Sequence, residues 1–227
     1  MKPKICLSIK PRSADEFSKL QIMAEHKGAD FVEIRLDHIM QPLELKGLSL
    51  RTETPRIATN RTVKQGGAFT GSEDERFQIL LDAAHSGFDY VDLEDSAENL
   101  CDKIDAIRSS GAKTIISNHN LESTPPLREL KEVLRNISKY GPDVCKIVTS
   151  AKFLKDNLVT LGFLQEASRE LKLVCFAMGE LGKISRIVCP IFGSFFTIAS
   201  LEKGAETAPG QLTIDDLRII YERMSLN

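Results

Sequence analysis

The 227-residue sequence lacks the features that mark a membrane protein or a nucleic-acid-binding protein. It contains no apolar run of about 18 residues and no N-terminal apolar segment of signal-peptide length, so we expect a cytoplasmic protein with no membrane partner. Its net charge is -2 and it has no block of lysine or arginine. The sequence therefore gives no electrostatic reason to expect a nucleic-acid partner.

Motifs of metal sites and of serine hydrolases are also missing. No H-x-H, H-E-x-x-H or aspartate-rich ligand set occurs, so we expect no metal. No G-x-S-x-G elbow occurs either, which argues against a Ser-His-Asp hydrolase.

The five cysteines are odd in number, lack C-x-x-C spacing and lie mostly in apolar segments. We therefore expect them to be reduced and buried thiols. They are Cys6, Cys101, Cys145, Cys175 and Cys189.

The composition is that of a globular domain with a sizeable core. Apolar residues make up 42% and charged residues 27% of the chain, and no low-complexity tract interrupts it. The length lies within the range of a single α/β barrel, and no linker or repeat marks a boundary. We therefore expect one catalytic domain over residues 1–227.

Eight short strand-like segments recur at the spacing that a helical crossover requires. They lie at 4–9, 31–37, 56–61, 90–94, 113–119, 144–150, 173–179 and 189–199. Strands that are apolar on both faces and joined by helices form a parallel sheet, and eight units favour closure into a (β/α)8 barrel. The alternative is an open doubly wound sheet, but "SIKPRSADE" follows the first strand where such a sheet often has a glycine-rich phosphate loop.

Helix signals fill most of the intervals between these segments. Capping-box spacing begins at Ser13, Ser72 and Thr213. One predicted helical face carries Leu154, Leu158, Leu161 and Leu164. The links at about 43–51 and at 180–187 are short and should hold one or two helical turns.

Charged residues within strand-like segments are the informative ones, because burying a charge without a partner is costly. They are Glu33, Arg35, Arg61, Asp92, Glu94, His119 and Lys146. In a closed barrel the carboxyl ends of the strands converge on one mouth, so these scattered residues should form a cluster. Each also has a structural explanation: the carboxylates and arginines as ion pairs, the histidine as a core residue, and the lysine as a partner for Glu33 or Glu94.

Lys146 lies in the middle of an apolar segment, where lysine is rare unless it is paired or reactive. Apolar walls and the nearby cations Arg35 and Arg61 should lower its pKa from roughly 10.4 toward neutrality. A neutral amine is a nucleophile that forms an imine with a ketone, and His119 would then move protons beside it. The surplus of arginines indicates an anionic substrate such as a carboxylate.

With these residues placed, the sequence resembles the type I 3-dehydroquinate dehydratases, the Schiff-base class of the shikimate pathway. The resemblance covers nearly the whole chain and rests on an ordered set of motifs. These are "ICLSI", "FVEIRLD", "NRTVKQGG", "ISNHN", "DVCKIV", "FAMGELGKISR", "FGS" and "TAPGQL".

The resemblance implies a homodimeric (β/α)8 enzyme that converts the small molecule 3-dehydroquinate into 3-dehydroshikimate and water without a metal or an organic cofactor. By the family pattern, Lys146 forms the imine and His119 transfers the protons. Arg186 matches the residue that binds the substrate carboxylate. The further substrate contacts by this pattern are Ser8, Glu33, Arg35, Arg61, Thr207 and Gln211.

Some positions depart from the family pattern. Gln65 stands where many members carry a glutamate that orients the histidine; it can still form a hydrogen bond but cannot offset imidazolium charge. Thr207 replaces a common serine, and Asn120 and Leu121 replace the more usual Asp and Phe. These departures put the rate and the pH optimum in question more than the reaction type.

Two other functions stay open at the level of the sequence. An aldolase-like lyase on the same scaffold would also use a lysine in the sixth strand. A catalytically inactive barrel would bind the ligand as a sensor or as part of an assembly of pathway enzymes.

Overall fold

The computed structural model describes residues 2–39 and 53–226 of the chain. The predicted link at about 43–51 lies outside the described residues. Eight β-strands are present in the described ranges: β1 Ile5–Ile9, β2 Phe31–Arg35, β3 Arg56–Thr59, β4 Tyr90–Glu94, β5 Lys113–His119, β6 Val144–Ser150, β7 Leu173–Met178 and β8 Thr197–Ala199.

All eight strands belong to one parallel sheet in the order β7-β6-β5-β4-β3-β2-β1-β8. The seam between β7 and β8 is bridged where Phe195 N–H donates to Leu173 O at 2.8 Å. This arrangement confirms the (β/α)8 barrel and excludes the open doubly wound sheet.

Seven α-helices connect the strands in the described ranges: α1 Ala14–His26, α2 Glu73–His85, α3 Leu100–Ser109, α4 Leu127–Ser138, α5 Asp156–Ala167, α6 Lys183–Val188 and α7 Ile214–Arg223. Reciprocal capping boxes begin α2 at Ser72 and α7 at Thr213. At α1 the Ser13 side chain accepts from Glu16 N–H, while the Glu16 carboxylate accepts from Arg12 N–H instead of closing the box. None of the described helices is long and apolar enough to span a membrane.

Two sequence predictions about local structure were wrong. The eighth strand is only three residues long, because Cys189–Phe192 forms a 3-10 turn that follows α6 and Gly193 then turns the chain with a φ of 102°. The predicted leucine face of α5 is only half buried: Leu161 and Leu164 lie in the core, but Leu154 precedes the helix and Leu158 is 74% exposed.

A repeated aspartate sets the register at the bottom of the barrel. Each of β2, β4 and β6 is preceded directly by an aspartate whose carboxylate accepts a backbone N–H at the start of the strand before it: Asp30 from Ile5 (2.9 Å), Asp89 from Arg56 (2.8 Å) and Asp143 from Thr114 (2.9 Å). Three residues after these aspartates come Glu33, Asp92 and Lys146. Because alternate strands of such a barrel contribute to one layer, the shared spacing puts these three side chains at the same height inside it.

We expect Asp143→Ala to lower the free energy of unfolding by about 1–3 kcal/mol, because the buried Thr114 N–H then has no partner. Chemical denaturation measures the change. The exposed Asp105→Ala is the matched control and should leave the stability within about 0.5 kcal/mol of wild type. Equal stability of the two variants would contradict the role of the repeated aspartate.

Candidate active site

A cavity of about 490 Å³ opens at the carboxyl ends of the strands. Eight of the nine predicted site residues line it: Glu33, Arg35, Arg61, His119, Lys146, Arg186, Thr207 and Gln211. The ninth, Ser8, is buried behind them, where its hydroxyl donates to Glu33 Oε2 at 2.6 Å and accepts from Thr207 Oγ1 at 2.8 Å. The barrel thus gathers residues that are spread over 204 positions of the sequence (8 to 211).

Lys146 is held between two carboxylates at the centre of the cavity. Its Nζ donates to Glu33 Oε1 and to Asp92 Oδ2, both at 3.0 Å, and its side chain is 5% exposed. Burial alone would lower the pKa of Lys146, but Asp92 and Glu33 outweigh burial and raise the pKa above its ordinary value. The sequence-based expectation of a lowered pKa is therefore wrong, because both carboxylates lie within hydrogen-bonding distance of the amine.

The two carboxylates are correspondingly held in their charged form. Burial would raise the pKa of Glu33, but Lys146 and Arg35 lower it to about 2. Burial likewise opposes ionisation of Asp92, whose pKa Arg61 and Lys146 bring to about 2. Both remain negative throughout the physiological pH range, so the centre of the site is a network of ion pairs.

Arg61 and Ser117 fix the second of these carboxylates. Arg61 Nη2 donates to Asp92 Oδ2 and Nη1 donates to Ser117 Oγ, each at 2.8 Å, and the Ser117 hydroxyl donates to Asp92 Oδ1 at 2.5 Å. Arg61 also lies 3.5 Å from Glu94. Its guanidinium is therefore engaged with protein carboxylates.

His119 lies at the end of β5 and is kept neutral. Burial is the largest cause, followed by the positive charges of Arg61 and Lys146, and together they hold its pKa well below the ordinary value. Its Nδ1 lies 3.1 Å from Oε1 of Gln65. The glutamine that departs from the family pattern therefore makes a hydrogen bond with the imidazole.

Arg186 is the buried cationic residue of the cavity without a carboxylate partner within the described part of the chain; the exposed Lys152 also lines the cavity. Its guanidinium stacks on Phe176 at 4.3 Å and donates to the carbonyls of Ile198 at 3.3 Å and Pro209 at 3.4 Å, while its buried Nε has no partner in the described residues. Burial lowers its pKa to about 10, so it stays charged at neutral pH. An unpaired, buried guanidinium is a site for an anion.

The segment after β8 covers one side of the cavity. Its backbone carbonyls accept from cationic side chains: Lys10 Nζ donates to Glu206 O at 2.7 Å and Arg35 Nη1 donates to Thr207 O at 3.3 Å. Gln211 bonds back to Thr207, with Oε1 accepting from the backbone N–H at 2.7 Å and Nε2 donating to Oγ1 at 2.9 Å.

Gly210 lets this segment approach the loop after β7. Its φ is +76°, and a Cβ at this position would lie 2.3 Å from Gly179 O. The glycine in "TAPGQL" is therefore required by a backbone contact.

Two important side chains were not assigned from the sequence. Asp37 forms a bidentate ion pair with Arg35, at 2.8 and 2.6 Å, and accepts from Ala68 N–H at 2.9 Å. The signal was available, because Asp37 follows Arg35 by two residues. Phe176, which stacks on Arg186, looked like any core aromatic and had no such signal.

No group of three or more His, Cys, Asp or Glu in residues 2–39 and 53–226 is arranged to hold a metal ion.

Comparison with known proteins points to one family. The model of the type I 3-dehydroquinase family matches residues 5–227. The chain is 38% identical over 220 residues to the 3-dehydroquinate dehydratase of Methanothermobacter thermautotrophicus, with 96% of each chain covered. It is 34% identical over 223 residues to the enzyme of the same name from Dehalococcoides mccartyi, covering 98% of this chain and 96% of that one.

Solved structures give the same result. The crystal structure of 3-dehydroquinate dehydratase from Geobacillus kaustophilus matches with a TM-score of 0.89 and 27% identity, over 99% of this chain and 92% of that one. A type I 3-dehydroquinate dehydratase from Clostridium difficile with covalent modified comenic acid matches with a TM-score of 0.87 and 26% identity, over 98% and 92%. A likeness to QR15, an aldolase, at 12% identity shows the fold alone.

The ion-pair network makes a prediction about Lys146 itself. Glu33→Gln should lower the pKa of Lys146, because one of the two anions that favour the ammonium is removed. A pH titration of the carbon-13 Cε resonance of Lys146 measures the change, and the exposed Glu180→Gln is the control. A wild-type pKa below the ordinary lysine value would show that burial and the arginines outweigh the carboxylates.

Proposed function

Because the chain belongs to the type I 3-dehydroquinase family, we propose that it is a 3-dehydroquinate dehydratase working through a Schiff base on Lys146. As a member of this family it is a hydro-lyase, an enzyme acting on a small molecule. The observation that carries the mechanism is the buried Lys146 amine, held between two carboxylates in a cavity that also contains His119 and the unpaired Arg186.

In the first step the Lys146 amine, after losing its proton, attacks the substrate ketone, and loss of water gives an iminium ion. The ion pairs with Glu33 and Asp92 disfavour the neutral amine, but they stabilise the positive iminium nitrogen that replaces the ammonium. The negative environment thus fits the charge of the intermediate without reorganisation. The iminium then acts as the electron sink for the elimination.

His119 would carry the protons of the elimination. As a neutral imidazole it removes the proton from the carbon next to the iminium, which gives an enamine. The resulting imidazolium returns the proton to the departing hydroxyl, which leaves as water. Hydrolysis of the conjugated imine then releases 3-dehydroshikimate and restores the Lys146 amine.

The remaining residues would bind and enclose the substrate. Arg186 takes the carboxylate, because it is the buried cavity cation that the protein leaves without an ion pair among the described residues. The other predicted contacts of the substrate are Ser8, Glu33, Arg35, Arg61, Thr207 and Gln211. Of these, Thr207 and Gln211 lie on the covering segment, which would exclude water from the imine.

The same family assignment supports a proposal about the wider setting of the protein. We propose that residues 1–227 form a single catalytic domain, acting in the cytoplasm, in the shikimate pathway to aromatic amino acids and as a homodimer. An apolar cluster supports the homodimer: Leu154, Leu158 and Leu181 are 61%, 74% and 41% exposed, and Asn157 links their segments through its bonds to Leu154 O and Leu181 O. A second copy of the chain would cover this surface.

We expect Lys146→Ala to abolish the formation of the conjugated enone from 3-dehydroquinate, followed by ultraviolet absorbance. Borohydride reduction during turnover should add the substrate-derived mass to Lys146 in the wild-type protein and to no residue in the variant. The exposed Lys155→Ala is the matched control and should behave as wild type.

The same two measurements separate the alternatives. Borohydride trapping at Lys146 without formation of the conjugated enone would indicate an aldolase-like lyase. Binding of 3-dehydroquinate without turnover or trapping would indicate an inactive binding barrel. An active Lys146→Ala variant would refute the imine mechanism.

Arg186→Gln should raise KM for 3-dehydroquinate by about 10- to 100-fold with a smaller change in kcat, because a charge-assisted contact to the carboxylate is lost. Steady-state kinetics measures both constants, and the exposed Arg128→Gln is the control. An unchanged KM would assign the carboxylate to a different residue.

A further inference from the structure

We propose that Lys152 is the residue that attracts the negatively charged substrate from solution into the cavity. The proposal rests on the proposed function, because it takes the substrate to be a carboxylate. None of the motifs that carry the family resemblance includes Lys152, and its side chain takes no part in the buried ion pairs among the described residues.

Lys152 has a fixed backbone and a free side chain. It follows β6 by two residues and lies on the wall of the cavity. Its backbone N–H donates to Asp156 Oδ2 at 2.7 Å, and the N–H of Ala151 donates to Met178 O at 3.0 Å. The residue is exposed, and its side chain forms no hydrogen bond, ion pair or ring contact within residues 2–39 and 53–226. The loop is therefore held in place while the ammonium group stays available to solvent at the cavity.

The buried ion pairs of the site do not attract an anion by themselves. In the described residues they join three cations to four carboxylates, which are Arg35, Arg61 and Lys146 with Glu33, Asp37, Asp92 and Glu94. His38 and His119 are neutral, because burial lowers the pKa of each imidazole, so this network carries one net negative charge. Arg186 brings the total to zero, and Lys152 makes it positive. The net charge that an approaching anion meets thus depends on Lys152.

Arg186 and Lys152 would act at different stages of binding. Arg186 is 1% exposed and stacked on Phe176, so it interacts with a carboxylate that has already entered the cavity. An exposed charge at a cleft raises the local concentration of an oppositely charged ligand and acts over about 10 Å at moderate salt. Lys152 should therefore affect capture of the substrate, which is read in kcat/KM, and leave the elimination step, which is read in kcat.

The test is the salt dependence of kcat/KM for 3-dehydroquinate, measured between about 20 and about 300 mM KCl. For the wild-type protein kcat/KM should fall as salt rises, because screening weakens the attraction. Lys152→Gln should lower kcat/KM by about 2- to 5-fold at low salt and remove its salt dependence, with kcat within about 2-fold of wild type.

Charge reversal separates an electrostatic effect from damage to the loop. Lys152→Glu makes the same set of charges negative, so its kcat/KM should be lower still at low salt and should rise as salt is added. Damage to the loop would not reverse the sign of the salt dependence. Lys139→Gln is the matched control: it removes one exposed lysine between α4 and the start of β6, at the end of the barrel away from the cavity, and should keep the wild-type salt dependence.

A Lys152→Gln protein with the salt dependence of wild type, or a Lys152→Glu protein whose kcat/KM still falls with salt, would overturn the proposal. If the wild-type protein does not convert 3-dehydroquinate, the proposed function fails, and the Kd of the same molecule from calorimetry then tests Lys152. Binding that weakens with salt in wild type but not in Lys152→Gln would support its role. Equal salt dependence of the two proteins, or no binding, would overturn it.

Discussion

The site depends on one interaction, the pairing of the Lys146 ammonium with Glu33 and Asp92 inside the barrel. These three charged side chains are almost completely buried. The fold tolerates them only because each has an opposite charge within hydrogen-bonding distance. Removing one partner of a buried pair typically costs about 3–5 kcal/mol, since the other charge is left uncompensated. The same pairing that keeps the amine charged at rest also favours the positive imine nitrogen of the proposed reaction.

Alternate strands of the barrel supply all three members of this group. Glu33, Asp92 and Lys146 come from β2, β4 and β6, each at the same distance from an aspartate that bonds to the neighbouring strand. The register at the bottom of the barrel and the height of the charged layer are therefore set together. The aspartate hydrogen bonds at one end of the strands therefore fix the positions of the charged side chains toward the other end, where this fold builds its active sites.

Around this centre, further hydrogen bonds fix the side chains that line the cavity. Asp37 forms an ion pair with Arg35 and accepts a hydrogen bond from Ala68 N–H. Ser8 forms hydrogen bonds with both Glu33 and Thr207, and Gln65 forms one with His119. These contacts join the loops after several strands to the covering segment. Arg186 is the contrast: it is stacked on Phe176 and has no ion pair in the described ranges, which is why we propose it as the residue that binds the substrate carboxylate.

The sequence by itself determined the eight-strand pattern and the convergence of charged residues, Lys146 and His119 among them, at one mouth, because strand periodicity and the rarity of buried charge are local signals. It also carried the ordered motifs of the family. It could not determine the direction of the Lys146 pKa shift, because the sequence places both arginines and carboxylates nearby and only their distances decide which charge dominates. Nor could it tell that Leu158 faces outward or that Phe176 supports a guanidinium. Tertiary structure decided these points, since Coulomb energy and burial depend on separations in space, which residue spacing along the chain does not specify.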